Sequence, residues 1–130
     1  MSISSASRMF DGIRVFIVED EVLVAMNLEM ILEDLGCVVV GPAMRYDRAE
    51  EMVTGGVDAD AAIIDVNVGG REVFPLAARL AAAKIPLIFA TGYGSSGLPA
   101  EWQSRPILHK PYTMTDVARG LSLALPGGQS

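Results

Sequence analysis

The chain has 130 residues, 51 % of them apolar, a single cysteine and a formal net charge of −6 at pH 7. This is the length of one domain, and no effector domain is expected beside it; the composition excludes disorder, a disulfide framework and a basic nucleic-acid binder. No apolar run approaches the roughly 18 residues of a membrane span. Residues 1–12 read as a flexible leader, carrying Ser2, Ser4, Ser5 and Ser7 but no apolar stretch of a secretory signal. With the lone Cys37, this predicts a protein of the reducing cytoplasm, without membrane or nucleic-acid partners. Residues 13–125 form the expected domain, and residues 126–130 a flexible tail.

Along the chain, short β-branched runs alternate with longer stretches of helical period. Ile13 to Val18 is too apolar for a strand with one wet face and predicts a buried central strand. From Glu21 to Leu35, Val24, Leu28, Ile31, Leu32 and Leu35 recur at helical spacing, with Gly36 as terminator. Cys37 to Val40 predicts a second strand stopped by Gly41 and Pro42, and Asp47 to Val53 a short helix. Ala61 to Ile64 makes a third strand, Gly69 and Gly70 a loop, and Phe74 to Ala83 a helix that tolerates Pro75 in its first turn. Leu87 to Ala90 is a fourth strand. The glycines after it, Gly92, Gly94 and Gly97, leave any following helix short or loose. Ile107 and Leu108 lie in a fifth strand, and the last helix opens at Thr113, with Asp116 placed to complete a capping box.

Strands alternating with helices imply an α/β, doubly wound (βα)5 sandwich with a parallel five-stranded sheet covered on both faces. Ligands of such sheets gather beyond the carboxyl ends of the strands. There the sequence places Glu19, Asp20 and Glu21 after the first strand, Asp65 after the third, Thr91 after the fourth and Lys110 after the fifth. Each alone is ordinary, because acids favour helix starts, Asp favours turns and surface lysines are common. Together they bring a carboxylate cluster, a separate Asp, a hydroxyl and an ammonium to one rim. Crowded carboxylates hold a proton or a cation, and a few carboxylates with open water positions suit Mg²⁺ and a phosphate-bearing substrate. Asp65 is then a candidate nucleophile, with Lys110 and Thr91 as partners of phosphoryl oxygens.

Val18-Glu19-Asp20-Glu21, Ile63-Ile64-Asp65-Val66-Asn67, Ala90-Thr91-Gly92 and His109-Lys110-Pro111-Tyr112 resemble the signatures of response-regulator receiver domains of two-component signalling. The resemblance spans Ile13 to about Leu125 and implies the CheY-like, flavodoxin-like strand order 2-1-3-4-5. It implies that Asp65 accepts phosphoryl from a histidine kinase or phosphotransfer protein. Mg²⁺ would be held by Glu19, Asp20, Asp65 and the backbone carbonyl of Asn67, while Thr91 and Lys110 would act on the phosphoryl group. It further implies a cis Lys110-Pro111 bond, and leaves Glu21 as a first-turn acid of the first helix. Pro86-Leu87-Ile88-Phe89-Ala90-Thr91-Gly92-Tyr93 resembles the narrower "FAT GUY" receivers, which implies a stand-alone protein and a kinase of the HWE or HisKA2 type. Ile107 departs from the family by standing where many receivers carry a switch aromatic.

The resulting expectation is a phosphoacceptor that switches an unidentified downstream protein or serves as a phosphate shuttle or sink, without metabolic turnover of its own. Homodimerisation stays open. The rivals are a phosphorylation-independent interaction module and a small metal-dependent phosphatase, which Asn67 disfavours by standing where a leaving-group acid would be wanted. Among remaining residues, His109 is expected to pack, Cys37 to be an inert buried thiol, and Met26 and Met30 to pack in the core or on the helix surface. Trp102 and Tyr93 flank the glycine-rich segment as partner contacts or a lid. Residues 92–102 are expected to be mobile without phosphate and more ordered with it.

Overall fold

The computed structural model describes residues 10–92 and 98–126. Expectations placed on the leader through residue 9, on Tyr93 and the glycines at 94 and 97, and on the tail from residue 127 lie outside the described residues. In chain order the elements are β1 (Arg14–Val18), α1 (Val22–Asp34), β2 (Val38–Ala43), α2 (Tyr46–Gly55), β3 (Ala61–Asp65), β4 (Asn67–Val68), β5 (Arg71–Glu72), α3 (Phe74–Ala82), β6 (Leu87–Thr91), β7 (Ile107–His109) and α4 (Met114–Ala124). The main sheet runs β2-β1-β3-β6-β7, with every pair parallel. With the small β4–β5 hairpin set aside, this is the 2-1-3-4-5 order.

Both faces of the sheet are covered, which is why its central strands read as nearly continuous apolar runs. The period of two sends Phe16, Val18, Ile64, Leu87 and Phe89 to one face, where they pack with Leu76, Leu80 and Trp102. The alternate residues Val15, Ile17, Ile63 and Ile88 meet Leu28 and Leu32 of α1 and Val117 and Leu121 of α4 on the other. Each such aliphatic or aromatic side chain contributes roughly 1.5–3 kcal/mol by leaving water. Phe10 is 2 % exposed and belongs to the second face. The packed unit therefore begins by residue 10, three residues before the boundary drawn from sequence, because one aromatic after a polar leader carries no periodic signal.

Three local features differ from the sequence expectation. Strand β2 continues through Gly41 and Pro42 to Ala43. A register irregularity between Phe16 and Val18 accommodates it, Gly41 adopts φ +96°, and the Gly41-Pro42 bond is cis. Gly69 and Gly70, with φ +60° and +84°, form the two-residue turn between β4 and β5, a conformation that glycine adopts without steric cost. Finally, Trp102 is no lid. It ends the 3₁₀ turn Ala100–Trp102 and packs edge-on against Phe89, with ring centroids 5.6 Å apart. Ile107 is half-buried and packs against the same cluster. The last helix opens as expected. Thr113 Oγ1 accepts from the Asp116 amide at 3.2 Å, and the Asp116 carboxylate accepts from the Thr113 amide at 2.9 Å.

Candidate functional site

Four parallel strands end on one edge of the sheet and bring the predicted residues together. Glu19 and Asp20 follow β1, Asp65 closes β3, Thr91 closes β6, and Lys110 follows β7 ahead of a cis Lys110-Pro111 bond. Asp20, Glu21, Asp65, Asn67, Thr91 and Lys110 line a cavity of about 530 Å³ at this edge. Glu19 lies beneath it, 1 % exposed, and Asp65 and Thr91 are also buried.

The Lys110 ammonium is the centre of the cluster. Its Nζ lies 2.5 Å from Asp65 Oδ2, 3.0 Å from Glu19 Oε1 and 3.3 Å from Glu21 Oε1. The second carboxylate oxygens are held by the backbone: Glu19 Oε2 accepts from the Glu21 amide at 3.0 Å, and Asp65 Oδ1 from the Asn67 amide at 3.1 Å. Asp20 lines the same cavity, with its Oδ2 accepting from Gly69 N–H at the hairpin tip at 2.9 Å. The Asn67 side chain accepts from the Gly70 amide at 3.0 Å, so the hairpin is fastened to the site at both its root and its tip.

Burial and the neighbouring Asp65 charge push the Glu19 carboxyl up to about 7, against the opposing pull of the Glu21 amide and Lys110. Burial works against the Lys110 charge, but hydrogen bonds to Asp65 and Glu19 outweigh it and hold the ammonium above the ordinary lysine range. Burial and then the Glu19 charge push the Tyr112 hydroxyl well up. The fit to a divalent cation follows from the donors. Glu19, Glu21 and Asp65 each present an oxygen within 4.8 Å of the others, around a point where an ammonium already resides. An all-oxygen set open to water on one side suits a hard cation of the Mg²⁺ type.

The spacing put Glu21 in the carboxylate cluster, and the family resemblance left it out of the ligand set. It occupies the N-cap position of α1 without a side-chain cap bond and turns to Lys110 instead. Three consecutive acids offer no pattern that says which of them reach the lysine; Glu19 and Glu21 do, and Asp20 takes the Gly69 N–H instead. His109, expected to pack, is exposed at the end of β7, as are Met26 and Met30 on the outer face of α1, while Cys37 is buried as expected.

No family model matches the chain. It is 32 % identical over 120 residues to the phyllosphere-induced regulator PhyR of Methylorubrum extorquens, covering 85 % of this chain and 43 % of PhyR, so it spans less than half the length of that curated relative. The solution structure of SdrG from Sphingomonas melonis Fr1 is 43 % identical with a TM-score of 0.76, covering 85 % of this chain and 94 % of SdrG. The BeF3-activated conformation of SdrG from Pseudomonas melonis Fr1 is 44 % identical with a TM-score of 0.72, covering 84 % and 92 %. A doubly wound sheet whose strand ends join acids, a hydroxyl and a lysine defines a receiver domain. The chain belongs to the response-regulator receiver family.

Proposed function

We propose that the protein is a phosphoacceptor switch in which Asp65 receives a phosphoryl group from a histidine kinase or phosphotransfer protein. The observation that carries this reading is the direct contact of the Lys110 ammonium with the Asp65 carboxylate, in a cavity that also presents Thr91. The beryllofluoride-activated state of the SdrG relative supports it. Mg²⁺, when bound by Glu19, Asp20, Asp65 and the Asn67 carbonyl, supplies the positive charge that offsets the phosphoryl oxygens.

The remaining steps belong to the chain. A carboxylate oxygen of Asp65 attacks phosphorus, and the phosphorus–nitrogen bond of the donor phosphohistidine breaks with its electron pair returning to the imidazole. An acyl phosphate results. Lys110 pairs with one phosphoryl oxygen and the Thr91 hydroxyl donates to another. The Asn67 amide, already on Asp65 Oδ1, keeps the carboxylate from rotating. The apolar residues Val22, Leu23, Met26 and Met30 stand exposed on α1, the helix that begins next to Glu21, and offer a donor protein an apolar surface. The segment Phe89-Ala90-Thr91-Gly92-Tyr93 supports the "FAT GUY" assignment and a kinase of the HWE or HisKA2 type. The output is a change of partner in the cytoplasm or the movement of phosphate within a relay.

Incubation with acetyl phosphate and Mg²⁺, followed by intact mass, tests this reading. One phosphoryl adduct is expected on the wild type and none on Asp65→Asn. No adduct on the wild type, with both forms folded, would instead indicate an interaction module independent of phosphorylation.

A further inference from the structure

Tyr112 follows the Lys110-Pro111 bond and is 4 % exposed. Its ring packs in the cluster that contains Ile17, Leu28, Ala90 and Leu108. Among the described residues, its hydroxyl is the one buried side-chain polar atom without a hydrogen-bond partner. A phenylalanine would fill the same space without leaving a donor unmet, so the hydroxyl is a cost to the resting state. The charges that act on it are Glu19 first, then Lys110, Asp65 and Glu21, and Tyr112 lines a cavity of about 390 Å³ together with Glu21 and Lys110. The hydroxyl therefore lies in the field of the acid–lysine cluster.

The proposed function supplies the state in which that proton is used, and the inference rests on that reading. In the resting state Lys110 is shared by Glu19, Glu21 and Asp65. A dianionic phosphoryl group on Asp65 competes for the ammonium. Glu21 is exposed and can turn to water, but Glu19 is 1 % exposed and cannot. Its Oε2 keeps the Glu21 amide, while Oε1 loses its donor when Lys110 turns away. We propose that Tyr112 is a positioning residue whose hydroxyl donates to Glu19 when Lys110 is drawn to the phosphoryl group, holding the Glu19 carboxylate in place for the cation. The hydroxyl is idle at rest because Lys110 then does its work.

The test compares the wild-type chain with Tyr112→Phe by thermal unfolding without Mg²⁺ or beryllofluoride, and by calorimetric titration of beryllofluoride in saturating Mg²⁺. The expected result is an unchanged or raised Tm at rest, with beryllofluoride affinity weakened about tenfold, the scale of one hydrogen bond to a charged group. Equal beryllofluoride affinity in the two proteins overturns the inference and leaves the phosphoacceptor reading standing. A Tm lowered together with the affinity also overturns it, since the hydroxyl would then support packing in both states. If the wild type takes up no beryllofluoride, the phosphoacceptor reading fails and this inference falls with it.

Discussion

Replacement of Lys110 by alanine exposes how much of the resting site depends on its own cation. The ammonium is flanked by the side chains of Glu19 and Asp65, 2 % and 10 % exposed. Removing one member of a buried ion cluster costs about 3–5 kcal/mol, because the charges left behind are neither paired nor hydrated. Glu21 is 64 % exposed, so water screens it and its share is small. Glu19, already pushed up to about 7, relieves part of the loss by taking a proton, which places the expected cost near the lower bound, about 3 kcal/mol. At roughly 4 °C per kcal/mol for a domain of this size, Tm falls by about 12 °C at pH 8 in a chelating buffer. The sign of the pH dependence follows from linkage. A carboxyl that holds its proton more tightly in the folded state stabilises the fold below its unfolded value and loses that contribution as pH rises through about 7. The gap between variant and wild type therefore narrows on going from pH 8 to pH 5.5. Millimolar Mg²⁺ narrows it too, because a divalent cation replaces the missing ammonium. Differential scanning calorimetry reads all three effects. A variant that melts within about 2 °C of the wild type at pH 8 without metal would refute the reasoning, since that is below the shift expected for even 1 kcal/mol.

At Gly41, φ is +96° and an added Cβ would lie 2.8 Å from the Ala43 amide nitrogen and 3.2 Å from the Ile17 carbonyl oxygen. Gly41→Ala is expected to cost more than about 2 kcal/mol, from strain and backbone clash together, and an unchanged Tm would contradict this account of β2. Thr113→Ala removes the cap of α4 and is expected to lower stability by about 1 kcal/mol, with Thr113→Ser retaining most of it in urea titrations. Protons compete with Mg²⁺ for Glu19. With the carboxyl pushed up to about 7, apparent Mg²⁺ affinity falls about tenfold between pH 8 and pH 6, and an affinity flat across that range in calorimetry would place the cation away from Glu19.

The parts legible in the sequence are those where one rule acts without competition. Buried parallel strands read as β-branched runs, so β1, β3 and β6 were visible, and with them the positions of Asp65 and Thr91 at their ends. Thr113 and Asp116 announced their capping box because its donors and acceptors lie within four residues of sequence. Where a long-range contact decides, the local reading fails. Gly41-Pro42 reads as a stop, and only pairing with β1 carries the strand through it. The strands Asn67–Val68 and Arg71–Glu72 are too short to show a period, although paired glycines between them were an available hairpin signal. Trp102 sits among glycines and prolines that suggest exposure, yet Phe89 draws it into the core.

Part of the net charge of −6 lies where it constrains chemistry. Glu19, Glu21 and Asp65 face one ammonium at the strand ends, and Asp20 takes a backbone N–H instead. A phosphoryl group on Asp65 adds about −1.5 to −2 to this rim, more than Lys110 can offset while it also serves Glu19. With both ligands at this rim, charge neutrality within a few ångströms would couple them: the factor by which a bound cation raises affinity for the phosphoryl group is the factor by which the phosphoryl group raises affinity for the cation. Burial of Glu19 strengthens that coupling, because a carboxylate that cannot turn to water must keep a proton, an ammonium or a metal ion. In the proposed phosphorylated state the phosphoryl group would withdraw the ammonium, and deprotonation above pH 7 would remove the proton. A cation would then be the remaining counter-charge, with the Tyr112 hydroxyl, on the inference above, holding the Glu19 carboxylate.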